Sequence, residues 1–138
     1  MIKFKKTKLI KYNAYPEKNG TLVPFYIEKS FPKEFKLKRF FILYGKRKLS
    51  RADHAHSKCT QIIIPLKGEV TIHVVSKNFK KKYLLKTSSK KALYVPPYNW
   101  ITIYFKNNHD SLITLCNYKY DKREYISNFK DFQKIISK

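Results

Sequence analysis

Acidic side chains are scarce in this 138-residue chain: 9 Asp and Glu stand against 31 Lys and Arg, a formal net charge of +22. Glycine is scarcer still, with 3 residues, so tight turns have to lean on Asn, Asp, Ser and Lys. There are 2 cysteines, Cys59 and Cys116, neither in a CxxC pair and both in apolar, strand-like surroundings. Reduced, buried thiols are the expectation. No stretch approaches the ~20 apolar residues of a membrane span. The N-terminal MIKFKKTKLIKY is basic but lacks a long apolar core and a small-residue cleavage site, which argues against a secretory signal. A soluble cytoplasmic protein with no membrane partner is expected.

The basic excess first suggests a nucleic-acid binder. Its make-up points elsewhere. Arginine occurs only at positions 39, 47, 51 and 123, and the lysines are scattered along the chain. That distribution reads as a solvated surface. Recognition-helix, RNA-binding aromatic and zinc-finger signatures are missing, so no nucleic-acid partner is expected. A basic surface still favours polyanions, and a nucleotide diphosphate is one. Where lysine is the default cation, an arginine is worth notice, because only its planar fork binds phosphate or carboxylate bidentately. Arg39 and Arg51 are therefore candidate ligand-binding residues.

What the chain does have is strand-forming material. Hydrophobic residues make up 43% of it and aromatics 16%, enough for one domain, residues 1–138, around one core. Strands are expected at Lys38–Tyr44, Gln61–Leu66, Glu69–Val75, Lys82–Lys86, Ala92–Val95, Trp100–Phe105 and Ser111–Asn117, with Pro96-Pro97 breaking the chain between two of them. The run QIIIPL suits a strand buried on both faces, and Lys67-Gly68 looks like the turn of a hairpin to EVTIHVV. At the C-terminus Asp121 and Glu124 resemble a capping box, followed by Phe129, Phe132, Ile135 and Ile136 at helical spacing. Many short strands and one terminal helix predict an all-β sandwich or barrel with a short C-terminal α-helix.

The segment RADHAHSKCTQIIIPLKGEV carries the chemistry. In an extended chain alternate residues share a side, so His54 and His56 project together. Two imidazoles on one wall read either as metal ligands or as an acid–base pair. Asp53, between them and Arg51, is expected to face away.

The spacing resembles the first cupin motif, H-x-H followed by a carboxylate and a glycine. Here His54-Ala55-His56 is followed by Gln61 and Gly68, so Gln61 stands where a metal-binding cupin has its glutamate. Past Pro96 come Tyr98, Asn99, Trp100, Ile101 and Thr102, with no histidine for the second motif. A catalytic zinc or iron site normally has at least three protein donors. No metal and no other cofactor is expected, and the histidines read as proton carriers.

A wider set of residues resembles the nucleotide-sugar 3,4-ketoisomerases, metal-free cupins acting on dTDP-4-keto-6-deoxy-D-glucose. The set comprises Gly20-Thr21-Leu22-Val23, Pro32-x-x-Phe35-x-x-Lys38-Arg39, Arg51-x-x-His54-Ala55-His56 with Gln61 and Gly68, Leu93-Tyr94-Val95-x-Pro97-x-x-Trp100, and Tyr120-Asp121-x-x-x-Tyr125-Ile126-x-x-Phe129-x-x-Phe132. The chain departs from the pattern at Ala52, Asp53 and Ile101. The resemblance implies a jelly-roll cupin fold, a homodimer, a dTDP-linked 4-keto-6-deoxy sugar as partner, and an isomerase serving biosynthesis of a 3-acetamido-3,6-dideoxyhexose for a surface glycan.

The chemistry so implied moves protons only. A base removes the C3 hydrogen, which the C4 ketone acidifies; an enediol forms; reprotonation at C4 leaves the ketone at C3. His56 is read as the carbon base and His54 as the group that shuttles or orients the oxygen proton, roles that can be exchanged. Arg39 and Arg51 are read as holding phosphates or the developing oxyanion. Gln61 bonds a sugar hydroxyl or a histidine, and Tyr94 and Trp100 border sugar or base unless they are core aromatics. The alternatives are a nucleotide-sugar 3,5-epimerase, which keeps the ketone at C4, and a sugar-nucleotide-binding cupin without turnover.

Overall fold

The computed structural model describes residues 1–138. Twelve strands run in chain order: β1 (Lys8–Lys11), β2 (Tyr15–Glu17), β3 (Gly20–Leu22), β4 (Arg39–Tyr44), β5 (Ser50–His56), β6 (Gln61–Lys67), β7 (Glu69–Val75), β8 (Lys80–Lys86), β9 (Lys91–Val95), β10 (Trp100–Phe105), β11 (Ser111–Cys116) and β12 (Tyr125–Ile126). One helix, α1 (Phe129–Ile136), closes the chain. No helix is long and apolar enough to cross a membrane.

The strands form two five-stranded antiparallel sheets, β1-β9-β6-β11-β4 and β12-β5-β10-β7-β8, with β2-β3 as a separate hairpin. The sheets face each other as a cupin-type β-sandwich, the fold that the strand pattern and the resemblance predict. Its core lies between them and includes Ile63, Val70, Ile72, Leu85, Leu93, Ile101 and Leu112. The alternate residues of the first sheet, Ile62, Ile64, Tyr94 and Leu115, are covered by Phe31 and Phe35 of the segment leading into β4. That cover explains why β6 is buried on both faces. Under α1, Phe132 and Trp100 pack with Ala55 on the outside of the second sheet.

Two local expectations need correction. β6 and β7 are not a hairpin: β6 pairs with β9 and β11, and β7 with β8 and β10. Lys67-Gly68 is a corner between sheets. Gly68 has φ +75°, and a Cβ there would sit 2.1 Å from a carboxylate oxygen of Asp110. That carboxylate accepts the backbone N–H groups of Glu69 and Asn107 at 3.2 and 3.1 Å and fixes the corner. Asp121 and Glu124 do not start the helix either. Asp121 accepts from Arg123 N and caps one 3₁₀ turn, Lys122–Glu124, while α1 is capped by Asn128, whose side chain accepts from Asp131 N at 3.1 Å. Glu124 turns inward instead, toward polar partners that a helix end does not offer.

Candidate active site

The interior is not apolar throughout. At the end bounded by β4, β5 and β12 the sheets leave a cavity of about 420 Å³, whose wall includes Arg51, His54, Gln61, Thr114 and Tyr125 beside Phe41 and Ile101. That volume falls within the usual range of small-molecule sites.

The route by which the sequence builds this wall is a bulge. β5 and β10 shift register between Ile101↔His54 and Thr102↔Ala52, leaving Asp53 unpaired, and Ala52 and Asp53 both have positive φ, 71° and 54°. Residues three apart in a regular strand face opposite ways. The bulge instead pairs Arg51 with the inward Ile103, so Arg51 joins His54 on the cavity wall. Asp53's carboxylate accepts from Ser50 Oγ and from Thr102 Oγ1, both at 3.0 Å. Thr102 lies between the inward Ile101 and Ile103, so its bond draws Asp53's side chain toward the outer face, although Asp53 and Ser50 also line the cavity.

The imidazoles form a chain of hydrogen bonds. His54 Nδ1 lies 3.0 Å from the Ala52 carbonyl, His54 Nε2 lies 3.0 Å from His56 Nε2, and His56 Nδ1 makes a short bond with Glu124 Oε2. Glu124 Oε1 accepts Lys58 N at 3.0 Å and Cys59 N at 2.9 Å. A carbonyl only accepts, so His54 carries its hydrogen on Nδ1 and offers a lone pair at Nε2. His56 then donates from Nε2 to His54 and from Nδ1 to the Glu124 carboxylate.

The electrostatics agree with that proton count. Burial and the neighbouring His56 hold His54 below the ordinary histidine value, so it stays neutral with its lone pair available. Burial alone pushes Glu124 up, but the bonds from His56, Cys59 and Lys58 together hold it below the usual carboxylate value. Glu124 and His56 are 3% and 4% exposed, and the short 3₁₀ turn brings this carboxylate to the strand that carries the histidines.

The other candidates divide. Gln61 lies on the cavity wall, nearly buried, its Nε2 3.9 Å from the Cys116 sulfur. Arg39 sits half-buried at the end of β4, donating from Nη2 to Tyr125 Oη at 3.3 Å, with its guanidinium over Phe41 and Tyr120. Tyr94 does not border the cavity. Its neighbour Val95 pairs with inward Gln61, so Tyr94 turns out to the face covered by Phe31 and Phe35. Trp100 precedes inward Ile101 and packs outward against Phe129 and Phe132, with centroids 5.1 and 5.6 Å away. Both are core aromatics here. Cys59 and Cys116 are free and buried, as expected. No group of three or more His, Cys, Asp or Glu side chains is placed to hold a metal ion.

Two residues of the site escape the sequence reading, Glu124 and Tyr125. Glu124 is one of only 9 acids in a strongly basic chain, and that rarity is the signal that could have singled it out. Tyr125 belongs to the C-terminal motif, but nothing in its spacing says that it pairs with His56.

Known proteins resemble the chain over nearly its whole length. It is 27% identical over 132 residues to the TDP-4-oxo-6-deoxy-alpha-D-glucose-3,4-oxoisomerase of Aneurinibacillus thermoaerophilus, covering 95% of this chain and 93% of that one. The sugar 3,4-ketoisomerase QdtA of Thermoanaerobacterium thermosaccharolyticum, solved in complex with TDP, superposes with a TM-score of 0.87 at 26% identity, covering 95% and 94% of the two chains. WlaRA, the TDP-fucose-3,4-ketoisomerase of Campylobacter jejuni, gives a TM-score of 0.81 at 28% identity over 95% and 96%. Residues 5–137 match the family described as "FdtA: WxcM-like, C-terminal", and with almost every residue inside that match, the chain belongs to this family.

Proposed function

We propose that the chain is an isomerase that converts TDP-4-keto-6-deoxy-D-glucose into the TDP-linked 3-keto-6-deoxyhexose by proton transfer through an enediol. The observation that carries this reading is an imidazole, His54, on the wall of a cavity of about 420 Å³ in a chain similar over nearly its whole length to 3,4-ketoisomerases. One of those neighbours was solved as a histidine-to-asparagine variant with TDP-4-keto-6-deoxyglucose.

The residues divide the work as follows. His54 takes the C3 hydrogen at Nε2, in competition with the N–H of His56, and returns it at C4. This exchanges the roles read from sequence, and what supports the exchange is access: His54 is on the cavity wall, whereas His56 is 4% exposed and held by Glu124. His56, itself held by Glu124, holds His54 in place, and burial together with His56 keeps it neutral. Arg51 supplies positive charge for the diphosphate, and Gln61 a hydrogen bond for a sugar hydroxyl. The chain acts without a redox cofactor, since no net electrons leave the sugar, and without a metal, since Gln61 stands in place of a carboxylate ligand and no histidine follows Pro96 at the second-motif position. It acts as a homodimer in the cytoplasm, and its product goes on, through a 3-aminotransferase and an acyltransferase, to a 3-acetamido-3,6-dideoxyhexose of a surface glycan. The resemblance supports these last points.

The test is incubation with TDP-4-keto-6-deoxyglucose followed by NMR of the sugar. A ketone appearing at C3 is expected. A ketone retained at C4 with inversion at C3 or C5 would make the chain an epimerase, and binding without change would make it a sugar-nucleotide carrier. Activity is expected to survive EDTA; loss on chelation with recovery on adding a metal would contradict the metal-free reading.

A further inference from the structure

We propose that the edge of the sandwich formed by β1 and β8 is a docking surface for an anionic phospholipid membrane, held by lysine charge and by the apolar tip Met1-Ile2. The lysines are scattered in the sequence, and the fold gathers them. Residues 1–16 and 70–109 contain no Asp or Glu and carry 5 and 8 lysines, so these two segments hold 13 of the 22 net positive charges. β1 pairs with β9, and Thr7 Oγ1 bonds Tyr83 Oη of β8 at 2.8 Å, which brings the segments together. β1 and β8 are the last strands of their sheets, on the side opposite β4 and β12.

A groove along this edge is lined by Lys6, Asn78, Lys80 and Lys81 and runs on past Lys5 and Lys77, with no carboxylate in its wall. Lys3, Lys5, Lys6, Lys80, Lys81 and Lys82 are all exposed. Lys86, farther along β8, differs: Glu69 lies 3.5 Å from its ammonium. Lysines on an edge strand guard it against pairing with another chain, but the charge here extends past β8 onto the N-terminal segment. The tip of that segment is apolar. Met1 and Ile2 are exposed and lie with Phe4 and Ile135 beside Lys77 and Lys138. The tip is tied down: Lys77 lies over the Phe4 ring at 4.6 Å and donates to the Lys138 backbone oxygen at 2.7 Å, and Asn99 Nδ2 donates to the Lys5 carbonyl at 3.0 Å.

The chemistry of the patch favours lipid headgroups over nucleic acid. Its cations are all lysines, point charges without the planar fork that grips a phosphate in a fixed geometry. Its rings are covered rather than offered for base stacking: Tyr83 is buried under Lys81, and Phe4 lies under Lys77. Exposed apolar side chains among lysines gain from a membrane interface, where charge and a small apolar anchor act together. They gain nothing from a duplex backbone. The contact is peripheral and needs no spanning segment. It corrects the expectation of no membrane partner, which scattered lysines suggest and their gathering on one edge does not. The cavity bounded by β4, β5 and β12 lies at the opposite edge, so docking leaves it free to take its ligand.

The experiment is co-sedimentation of the full chain with phosphatidylcholine vesicles, with and without phosphatidylglycerol, at physiological salt. Binding is expected only with phosphatidylglycerol. Replacing Lys80, Lys81 and Lys82 together by Gln is expected to weaken it about 10²-fold, and replacing Lys3, Lys5 and Lys6 together by Gln to act in the same way, which covers a failure of the first variant to fold. The same change of charge at Lys46, Lys48 and Lys122, around β4 and β12, is expected to leave binding close to wild type, since those charges lie beyond the screening length of ~8 Å from a membrane on the far edge. Ile2→Asn, which leaves the charge alone, is expected to weaken binding without changing its salt dependence. Equal losses in the patch and control variants would reduce the effect to net charge and overturn the proposal. So would an absence of binding to phosphatidylglycerol vesicles, or a preference for duplex DNA or RNA over them at the same salt. Conversion of the sugar is expected to be unchanged in all these variants, so failure here leaves the ketoisomerase reading standing.

Discussion

The two ends of the sandwich use the same device to opposite ends. Around β7 and β8, regular pairing turns Val70, Ile72, Val74, Tyr83 and Leu85 inward, and the interior is closed with hydrocarbon and the rings of Tyr83 and Phe105. Around β5 and β12, inward positions carry Arg51, His54, His56 and Tyr125, and the space between the sheets stays open. Alternation alone would have made both ends alike. The difference comes from the bulge at Ala52–Asp53, which puts Arg51 and His54 on one side, and from Glu124, which satisfies the innermost imidazole. The closed end and the helix seat give stability, whereas the open end spends it on buried polar groups that must be paired.

This contrast can be broken at several points. Phe132→Ala strikes the apolar seat beneath α1, where Phe132 is fully buried against Trp100 and Ala55. It should cost about 3–5 kcal/mol of unfolding free energy by chemical denaturation, with kcat retained wherever the protein is folded. A loss of kcat in the folded variant would mean that the helix seat and the cavity are not separable.

Glu124→Gln strikes the polar end. It leaves the N–H groups of His56, Lys58 and Cys59 facing a neutral amide. A loss of about 1–3 kcal/mol is expected, together with lowered turnover, because His56 no longer holds His54. The pH dependence has a definite sign. Glu124 is held below its ordinary value when folded, so its contribution is present above the unfolded carboxylate range and is lost as pH falls through the folded value. Wild type should lose stability on acidification below about pH 4.3 more steeply than Glu124→Gln. Parallel acid melting curves would contradict the ion pair.

A subtler effect concerns the base. His54 is held below the ordinary histidine value, so it must be neutral to work and should remain so under mildly acidic conditions. The acid limb of kcat/KM is expected to fall below about pH 6.5. A limb above that value would mean that Glu124, not burial and His56, dominates the field at His54. The smallest effect is expected at Tyr94, on the covered outer face: Tyr94→Phe should leave kcat unchanged and shift stability by no more than about 1 kcal/mol. A marked fall in kcat would place Tyr94 in the site after all.

The same contrast explains what the sequence can tell. Strands such as Glu69–Val75 and Trp100–Phe105 announce themselves because every second side chain meets one environment, and Gln61–Lys67 because of its apolar run. The histidine pair is legible for the same reason. A bulge has no such period, so the inward turn of Arg51 cannot be read from RADHAH, and neither can the partition of β6 and β7 into different sheets, which a corner glycine and a distant aspartate impose. Glu124 is the sharpest case. Locally it completes a capping box with Asp121, but the imidazole that claims it lies 68 residues earlier in the chain. Tyr94 and Trp100 show the reverse: the motif is legible, but the direction of each side chain is set by its strand neighbours, Val95 and Ile101.

The central claim is that His54, not His56, meets the sugar carbon, and the fate of the C3 hydrogen tests it directly. Proton NMR in deuterated water should follow that hydrogen in TDP-4-keto-6-deoxyglucose with wild type, His54→Asn and His56→Asn, each shown by melting to be folded and to bind TDP. Asparagine can hydrogen-bond but cannot take a proton from carbon near neutral pH. The account predicts that wild type removes the C3 hydrogen as the 3-keto product forms, that His54→Asn removes it about 10²–10⁴-fold more slowly, and that His56→Asn retains a larger share of the rate. Removal at the wild-type rate by His54→Asn, with none by His56→Asn, would contradict it.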